Sequence, residues 1–380
     1  MAGLFDPLTL RGVELSNRIV VSPMSQYAAV DGMANDWHFA HLSRFALGGA
    51  GMVIIEATGV SPAARRTPGD LGLWSNAHAE PLERMAAFLS ANGSVPAIQL
   101  SHAGRKASER RPWHGETPLD SEDQVLRGEG SWRAQAPSPL PYSEAWPDPV
   151  EMTEDDIAGV VADFAAAAQR AHDAGIQAVE VYAGHGFLQH QFLSPISNQR
   201  TDRYGGDFDG RVRFALETAD AIRSVLPDSS PLFFRVSVTD WLDDGWTVEE
   251  SIELAKQLRE GGVDVIDCTS GGIGGDRRVR FPLGEGYQVD LAEQVKHGAD
   301  IPTMAVGMIW SPAHADGVIQ NGQADLVAIG RELLDDPNWP HHAARTLGID
   351  TSHSLWPPES GWWLGKRQRA IDKLNLRPDA

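Results

Sequence analysis

Eight short apolar runs recur along the chain, and they constrain its fold more than any other feature. The runs are rich in Val and Ile, and several are continuous instead of alternating with polar residues. That pattern is typical of strands buried on both faces of a parallel sheet. The eight predicted strands are Arg18–Val21, Met52–Ile55, Val95–Leu100, Ile176–Val181, Leu232–Val236, Val263–Asp267, Pro302–Val306 and Asp325–Ile329.

Amphipathic segments of helical character lie between these runs. Thr153 precedes three acidic residues and is a favourable helix N-cap, while Gly175 and Gly261 stand where two helices should end. Eight strand–helix units in 380 residues indicate an α/β chain with a single (β/α)8 TIM barrel. The main competitor, a doubly wound open sheet, should show a GxGxxG turn after an early strand, and the sequence has none. Predicted helices are Pro81–Ala91, Asp155–Ala174, Arg211–Val225, Val248–Glu260, Leu291–Lys296 and Ala313–Gln320.

Two segments depart from the repeat. Residues 105–149 are rich in Pro, Trp, Gly and charge and follow the third strand. We predict a long ordered loop covering the barrel mouth, because three Trp residues argue for packing and against the alternative of disorder. We therefore assign residues 1–355 to the barrel, with 105–149 as a capping loop. Residues 356–380 form a tail too aromatic to be solvated, which we expect to contact the barrel or a neighbouring subunit.

Charge and composition restrict the partners. The formal net charge of −20 argues against nucleic acid or an anionic membrane, although a local cluster of N–H groups and Arg can still bind a phosphate. The single cysteine, Cys268, excludes an intramolecular disulfide and a cysteine-based metal site. The first residues lack the pattern of a signal peptide, and no apolar run reaches the length of a membrane span. We expect a cytoplasmic protein.

Polar side chains and glycines gather at the ends of the predicted strands, where barrel enzymes hold their ligands. Gly307 and Gly330 follow strands seven and eight, and with Arg331 they fit a phosphate site. Gln99 and Arg235 offer in-plane hydrogen bonds to a flat heteroaromatic ring, so the set suits a phosphorylated planar cofactor. The alternative is that the glycines are tight turns and Arg331 a surface ion pair.

Titratable and hydrogen-bonding side chains are most concentrated in residues 176–206. This stretch begins as an apolar run, turns polar at Tyr182 and His185, and continues as a long polar loop. An ordinary strand and loop is the alternative to a site. A metal site is disfavoured. His38 and His41 are three positions apart and His185 and His190 are five apart, but no further ligand lies at a suitable spacing beside either pair. A nucleophilic enzyme is disfavoured as well, because there is no GxSxG and Cys268 lies within an apolar strand.

Several long segments carry a family resemblance, among them HGFLQHQFLSP, SPISNQRTDRYGG, IQLSHAGRKAS, LFDPLTLRGVELSNRIVVSPMSQY and ADLVAIGRELLDDP. The chain resembles the Old Yellow Enzyme family of flavin-dependent ene-reductases over nearly its whole length. It is most similar to the bacterial thermophilic-like or xenobiotic-reductase branch. The resemblance implies a barrel that binds FMN non-covalently and is reduced by NAD(P)H. Hydride then passes to the β-carbon of an electron-poor alkene, and an acid protonates the α-carbon.

The resemblance also assigns residues by position. Ser25 stands where this branch usually has a cysteine that tunes the flavin, so the redox potential is expected to differ. Tyr27 matches a tyrosine that this branch directs at the substrate. The implied FMN contacts are Ser22, Pro23, Met24, Ala57, Gln99, Arg235, Gly307, Met308, Gly330 and Arg331.

Two departures from the family pattern bear on the reaction. The family anchors a substrate carbonyl with His-x-x-His or His-x-x-Asn, and here that pair is Tyr182 and His185. The usual proton-donating tyrosine two residues later is Phe187, which cannot donate a proton. We hypothesise that Tyr182 and His185 hold a substrate oxygen and that Tyr182, Tyr27 or water supplies the proton. The alternative is that Tyr182 only fills space in a slow ene-reductase.

We therefore expect an NAD(P)H-dependent flavin oxidoreductase acting on an activated C=C bond of a small molecule. Alternatives are ketone desaturation, reduction of an activated aromatic ring, oxidative demethylation, or a flavin-binding protein without turnover. We expect a homodimer or homotetramer. The tail lacks an arginine that, by the family resemblance, some relatives insert into a neighbouring subunit's site, and we expect Trp362 or Trp363 to fill that space instead.

Overall fold

Eight parallel strands close into a barrel in the computed structural model, which describes residues 2–275 and 279–374. Each strand pairs with the next in chain order, and the last strand pairs with the first, so the sheet has no open edge. The predicted (β/α)8 barrel is confirmed. The strands are β1 Ile19–Val21, β2 Met52–Gly59, β3 Val95–Ser101, β4 Ala178–Ala183, β5 Leu232–Ser237, β6 Val265–Thr269, β7 Thr303–Val306 and β8 Leu326–Ile329.

Eight helices accompany these strands. All six predicted helices are present, and α5 has the predicted bounds. Thr153 caps α3, because its hydroxyl accepts from the Asp156 amide while the Asp156 carboxylate accepts from the Thr153 amide. The barrel helices are α1 Asp36–Leu47, α2 Asn76–Ala91, α3 Glu154–Asp173, α4 Phe208–Val225, α5 Val248–Glu260, α6 Val289–Ala299, α7 Pro312–Gln320 and α8 Trp339–Thr346.

Shorter elements decorate the barrel. Strands Leu8–Leu10 and Val13–Leu15 form an antiparallel hairpin, and Leu71–Gly72 pairs with β2. Strands Gln135–Ala136 and Val150–Glu151 pair in parallel. The remaining helices are Ser121–Arg127, Leu188–Leu193, Arg331–Asp335 and Pro358–Lys373, and 3₁₀ turns span Pro62–Ala64, Gly104–Lys106 and Pro112–His114.

The barrel interior is layered. Its lower end is a buried apolar cluster that includes Leu10, Val13 and Leu15 of the hairpin together with inward residues of the strands, such as Phe233 and Met304. Above it comes a polar layer. Gln99 and Glu180 are directly paired neighbours on β3 and β4, and Arg235 and Asp267 are paired on β5 and β6. Because strand residues alternate in direction, the residues two positions later form the mouth.

Residues 105–149 contact several neighbouring loops. Trp132 donates its indole N–H to the Ala63 carbonyl, and Arg105 donates to the Ile273 carbonyl in the loop after β6. Within the segment, Arg105 also donates to the carbonyls of Leu140 and Pro141. Trp113 is 62% exposed, and its ring meets the Tyr27 ring edge-on at 5.8 Å. The role of this segment as a cap over the mouth stays a prediction.

The tail forms the helix Pro358–Lys373. A Cβ on Gly361 would lie 2.5 Å from the His353 carbonyl oxygen, so the helix approaches that loop closely. Trp362 and Trp363 are 57% and 62% exposed. Their contact with a neighbouring subunit stays a prediction. In the described part of the chain, no helix is long and apolar enough to cross a membrane.

Candidate active site

A cavity of about 720 Å³ opens at the carboxyl ends of β1 and β4–β8. This is the end of the barrel at which the sequence placed the site. Eight predicted residues line the cavity: Ser22, Met24, His185, Arg235, Gly307, Met308, Gly330 and Arg331. The structure therefore brings together residues that lie more than 300 positions apart in the chain.

The other predicted residues do not line the cavity: Pro23, Ser25, Tyr27, Ala57, Gln99 and Tyr182. Gln99 is 1% exposed, and its side-chain N–H donates to Glu180 Oε1 over 2.7 Å. Thr269, Tyr287 and Gln288 line the cavity but were missed by the sequence reasoning. Thr269 is the last residue of β6, and only the position of that strand end could have identified it.

Gly307 and Gly330 line the cavity without contributing a side chain. Gly307 has φ of +122°, and a Cβ there would lie 2.7 Å from Gln288 Nε2. A Cβ on Gly330 would lie 3.6 Å from Met24 Sδ and 3.8 Å from the Ser22 Cβ, beside two residues of the cavity wall. Side chains at either position would occupy space that the glycines leave free. With the exposed Arg331 beside them, this end fits an anionic group.

Arg235 supplies a buried cation to the other part of the cavity. Its Nε lies 3.1 Å from Asp267 Oδ2, and its Nη1 donates to Ser22 Oγ over a long 3.4 Å. A guanidinium carries five N–H donors, so these contacts leave donors for a ligand. The burial of an arginine at 7% exposure requires the ion pair with Asp267, because an unpaired buried charge is strongly unfavourable.

Glu180 and Asp267 form a carboxyl pair beneath Arg235. Glu180 Oε2 and both carboxylate oxygens of Asp267 lack a hydrogen-bond donor in the described structure. One proton on the pair lets Glu180 Oε2 and one Asp267 oxygen share a hydrogen bond. Burial, and then the Asp267 charge, raises the pKa of Glu180 to about 8, although Arg235 opposes the shift. Glu180 is therefore the protonated partner at neutral pH, and Asp267 is the counter-charge of Arg235.

Tyr182, His185 and Thr269 form a hydrogen-bonded chain at the mouth. His185 Nδ1 lies 2.7 Å from the Tyr182 hydroxyl, and its Nε2 lies 2.7 Å from Thr269 Oγ1. Burial, and then Arg235, holds the pKa of His185 well below its usual value, so the ring is neutral and carries one N–H. The Thr269 hydroxyl donates towards Gln288 Oε1, so it accepts from Nε2–H. Nδ1 is then the acceptor for the Tyr182 O–H.

The Tyr182 ring is held by the residue that replaces the family's usual acid. Phe187 lies 4.2 Å from it between ring centres and is buried in an apolar cluster with Ala103, Ala107 and Ala134. Burial raises the pKa of Tyr182 to about 12, outweighing the opposing effect of Arg235, so the phenol keeps its proton at neutral pH. The structure thus places a protonated phenol beside Phe187 and directs it at His185.

Tyr27 belongs to a second polar group near the mouth. Its hydroxyl lies 3.4 Å from Arg66 Nη1, and Arg66 forms a two-pronged ion pair with Glu109 at 2.6 and 2.7 Å. Burial raises the pKa of Tyr27 as well. Trp113 meets the Tyr27 ring edge-on at 5.8 Å. Arg66 and Glu109 were not among the residues singled out from the sequence.

Cys268 and the histidines that lie outside the hydrogen-bonded group of Tyr182, His185 and Thr269 have structural environments. Cys268 is fully buried, and burial raises the pKa of its thiol well above the usual value. His190 lies 2.9 Å from Asp240 and accepts from the Gly186 amide, which ties two loops together. No group of three potential metal ligands occurs among residues 2–275 and 279–374.

Comparisons with known proteins agree with this geometry. Residues 3–349 match the model of the NADH:flavin oxidoreductase / NADH oxidase family. An NADPH dehydrogenase from Geobacillus thermodenitrificans is 42% identical over 361 residues, covering 94% of this chain and 98% of that protein. An NADH:flavin oxidoreductase from Gibberella zeae is 42% identical over 363 residues, covering 91% and 86%. The solved structure of morphinone reductase in complex with tetrahydroNAD has a TM-score of 0.72 and 27% identity, covering 92% of each chain.

The proton on Glu180 predicts a pH dependence of stability. A carboxyl whose pKa rises from 4.5 to about 8 on folding stabilises the fold fully below pH 4.5, and this contribution is lost as pH rises towards 8. Glu180→Gln keeps a neutral donor and removes the titration. The urea midpoint of the wild type should therefore fall relative to that of the variant across this range. Glu122→Gln, at an exposed position, is the control. A constant difference between wild type and Glu180→Gln across the range would contradict the assignment.

Proposed function

The chain belongs to the NADH:flavin oxidoreductase / NADH oxidase family, the Old Yellow Enzyme family, and on that premise we propose that it reduces the C=C bond of a small activated alkene such as an enone. The chain is an FMN-dependent NAD(P)H oxidoreductase. One observation carries the finer proposal. A protonated phenol, Tyr182, is hydrogen-bonded to a neutral imidazole, His185, that lines the cavity also lined by Arg235.

FMN fits the cavity by the chemistry of its walls. When bound, FMN accepts hydride from NAD(P)H and supplies hydride to an electrophilic carbon. Arg331 and the open backbone at Gly307 and Gly330 would hold its phosphate. Arg235 would hydrogen-bond its ring, with Gln99 beneath. The remaining proposed contacts, by resemblance, are Ser22, Pro23, Met24, Ser25, Ala57 and Met308.

The protein itself has to supply a proton to the α-carbon, because reduction of an alkene adds one hydride and one proton. Tyr182 is the proposed donor, since its phenol is protonated at neutral pH and Phe187 cannot act. The phenolate left behind is stabilised by Arg235, whose guanidinium lies 5.8 Å from the Tyr182 ring centre, and is reprotonated from water. Tyr27 is the second candidate donor.

The substrate oxygen is proposed to bind beside His185. A polarised carbonyl needs a donor, and the Tyr182–His185–Thr269 chain offers hydroxyl and imidazole N–H groups at the cavity wall. Tyr182, His185 and Thr269 are already hydrogen-bonded to one another, so they compete with a substrate oxygen for these donors. That competition distinguishes this site from the His-x-x-His or His-x-x-Asn pair that the family resemblance implies.

The same competition favours a second candidate function. Both ring nitrogens of His185 already have partners within the described structure, so the carbonyl anchor of the family is altered. A different flavin reaction on this scaffold is then the alternative: ketone desaturation, reduction of an activated aromatic ring, or oxidative demethylation. A substrate whose reaction needs no carbonyl anchor would suit this arrangement.

Anaerobic titration separates the two candidates. The purified holoenzyme should lose its visible flavin absorbance on addition of NADPH and regain it when cyclohexenone is added. Quinones serve as a control for generic electron acceptance. Recovery with quinones and with no enone would reject alkene reduction and favour the second candidate.

Arg331 gives a test of the phosphate end. Arg331→Gln removes a charged donor, and the loss of a hydrogen bond to a charged group costs about 1.5–3 kcal/mol. FMN affinity of the apoprotein should fall about 10- to 100-fold, measured by quenching of flavin fluorescence. Riboflavin, which lacks the phosphate, should bind both proteins alike. Arg345→Gln, at a surface arginine bonded to Gln368, is the matched control. An unchanged FMN affinity in Arg331→Gln would place the phosphate elsewhere.

A further inference from the structure

Lys106 joins three segments at the barrel mouth. It ends the 3₁₀ turn Gly104–Lys106, and its ammonium donates to the main-chain carbonyls of His185 and Gly272 over 2.7 and 3.2 Å. The same ammonium lies 4.4 Å from the ring centre of Tyr142, in the 105–149 segment. A single side chain therefore contacts the loop after β4, the loop after β6 and the segment after β3.

The loop that carries His185 has an unusual conformation at this point. His185 has φ of +50°, which is unfavourable for a residue with a Cβ, and Gly186 follows with φ of +75°. A Cβ on Gly272 would lie 2.4 Å from the His185 Cα, and a Cβ on Gly186 would lie 2.4 Å from the Gly272 oxygen. The two loops therefore touch through backbone alone, and two carbonyl oxygens converge on one ammonium.

We propose that Lys106 is a positioning residue that fixes the His185 carbonyl and thereby keeps the imidazole aimed at Tyr182 and Thr269. The His185 amide is fixed separately, because it donates to Ser237 Oγ over 2.8 Å. Ser237 and Lys106 thus hold the backbone of His185 on both sides, while Tyr182 and Thr269 hold its ring. The inference rests on the proposed roles of Tyr182 and His185.

The charge on Lys106 makes this positioning sensitive to pH. Burial, and then the charges of Arg66 and Arg105, together lower the pKa of Lys106 to about 7, although Glu109 and Glu116 oppose the shift. The charge that strengthens both hydrogen bonds to the carbonyls is therefore present below about pH 7 and is lost above it. The pKa of the His185 ring lies well below its usual value, so the imidazole does not titrate over the same range.

The direct test observes His185 by nuclear magnetic resonance in the holoenzyme labelled with ¹⁵N-histidine. The signal is assigned by its absence in His185→Asn. The wild type below pH 7 should show one tautomer with a slowly exchanging ring N–H. Lys106→Met should show averaged tautomers, Lys106→Gln an intermediate state, and Lys296→Met, at a lysine paired with Asp325, the wild-type signal. A single fixed tautomer in Lys106→Met would overturn the proposal.

Two further readouts guard against a merely structural effect. The wild-type His185 signal should change to the averaged form as pH rises through about 7, which needs no variant. A signal that stays constant across that pH overturns the proposal even if Lys106→Met fails to fold. In folded Lys106→Met with full FMN content, kcat for enone reduction should be about 10- to 100-fold lower than in the wild type. The wild-type kcat should decline above pH 7, and this decline should be absent from the variant. An unchanged kcat and pH profile would also overturn the proposal.

The resonance experiment uses no alkene substrate. If the enzyme ignores every enone while His185 responds to Lys106→Met as expected, the proposed reaction fails and the positioning role stands. If enone is reduced and His185 does not respond, the positioning role fails alone.

Discussion

The buried ion pair between Arg235 and Asp267 is the constraint on which the rest of the site depends. A guanidinium inside a barrel requires a counter-charge, and neighbouring strands β5 and β6 supply both partners at paired positions. A second carboxylate, Glu180, would give that layer a net negative charge, so it retains a proton. The layer is then neutral, and Arg235 presents its remaining donors to the cavity. Tyr182 follows Glu180 by two positions, and Thr269 follows Asp267 by two positions. The hydrogen-bonded side chains at the mouth therefore lie directly above this layer.

Backbone strain concentrates at the same end of the barrel. Tyr27, His185, Trp241 and Met308 all have positive φ values near +50° to +60° and follow barrel strands. Such residues persist only where the surroundings determine them, and they are frequent at functional sites. His185 shows how this is achieved. Its amide, its carbonyl and both ring nitrogens each have a partner from a different segment.

The sequence predicted the strands well because continuous Val and Ile runs have one common explanation, a parallel sheet buried on both faces. It also placed Gly307, Gly330 and Arg331 at one end, since the direction of parallel strands determines which ends meet. It did not predict Thr269 or Lys106. Whether a residue at a strand end faces the cavity depends on the last residue of that strand, and an error of one reverses its direction.

The hydrogen-bond partners of Tyr182 and His185 could not be predicted from the sequence, for a different reason. Tyr182 and His185 were expected to share a substrate oxygen, and the structure shows them bonded to one another. That outcome depends on the left-handed conformation of His185 and on Thr269, which lies 84 residues further along the chain. The role of Phe187 followed the same pattern. Its lack of a hydroxyl could be read from the sequence, whereas its packing against the Tyr182 ring is seen only in the three-dimensional structure.

We propose that the Tyr182 phenol delivers the proton that Phe187 cannot supply. The most direct measurement is the rate at which the reduced holoenzyme is reoxidised by cyclohexenone in stopped-flow. Tyr182→Phe should slow this step by about 10² to 10⁴-fold and leave reduction by NADPH unchanged. Adding Phe187→Tyr to that variant should restore part of the rate by returning a phenol to the mouth. Reoxidation of Tyr182→Phe at the wild-type rate would contradict the claim.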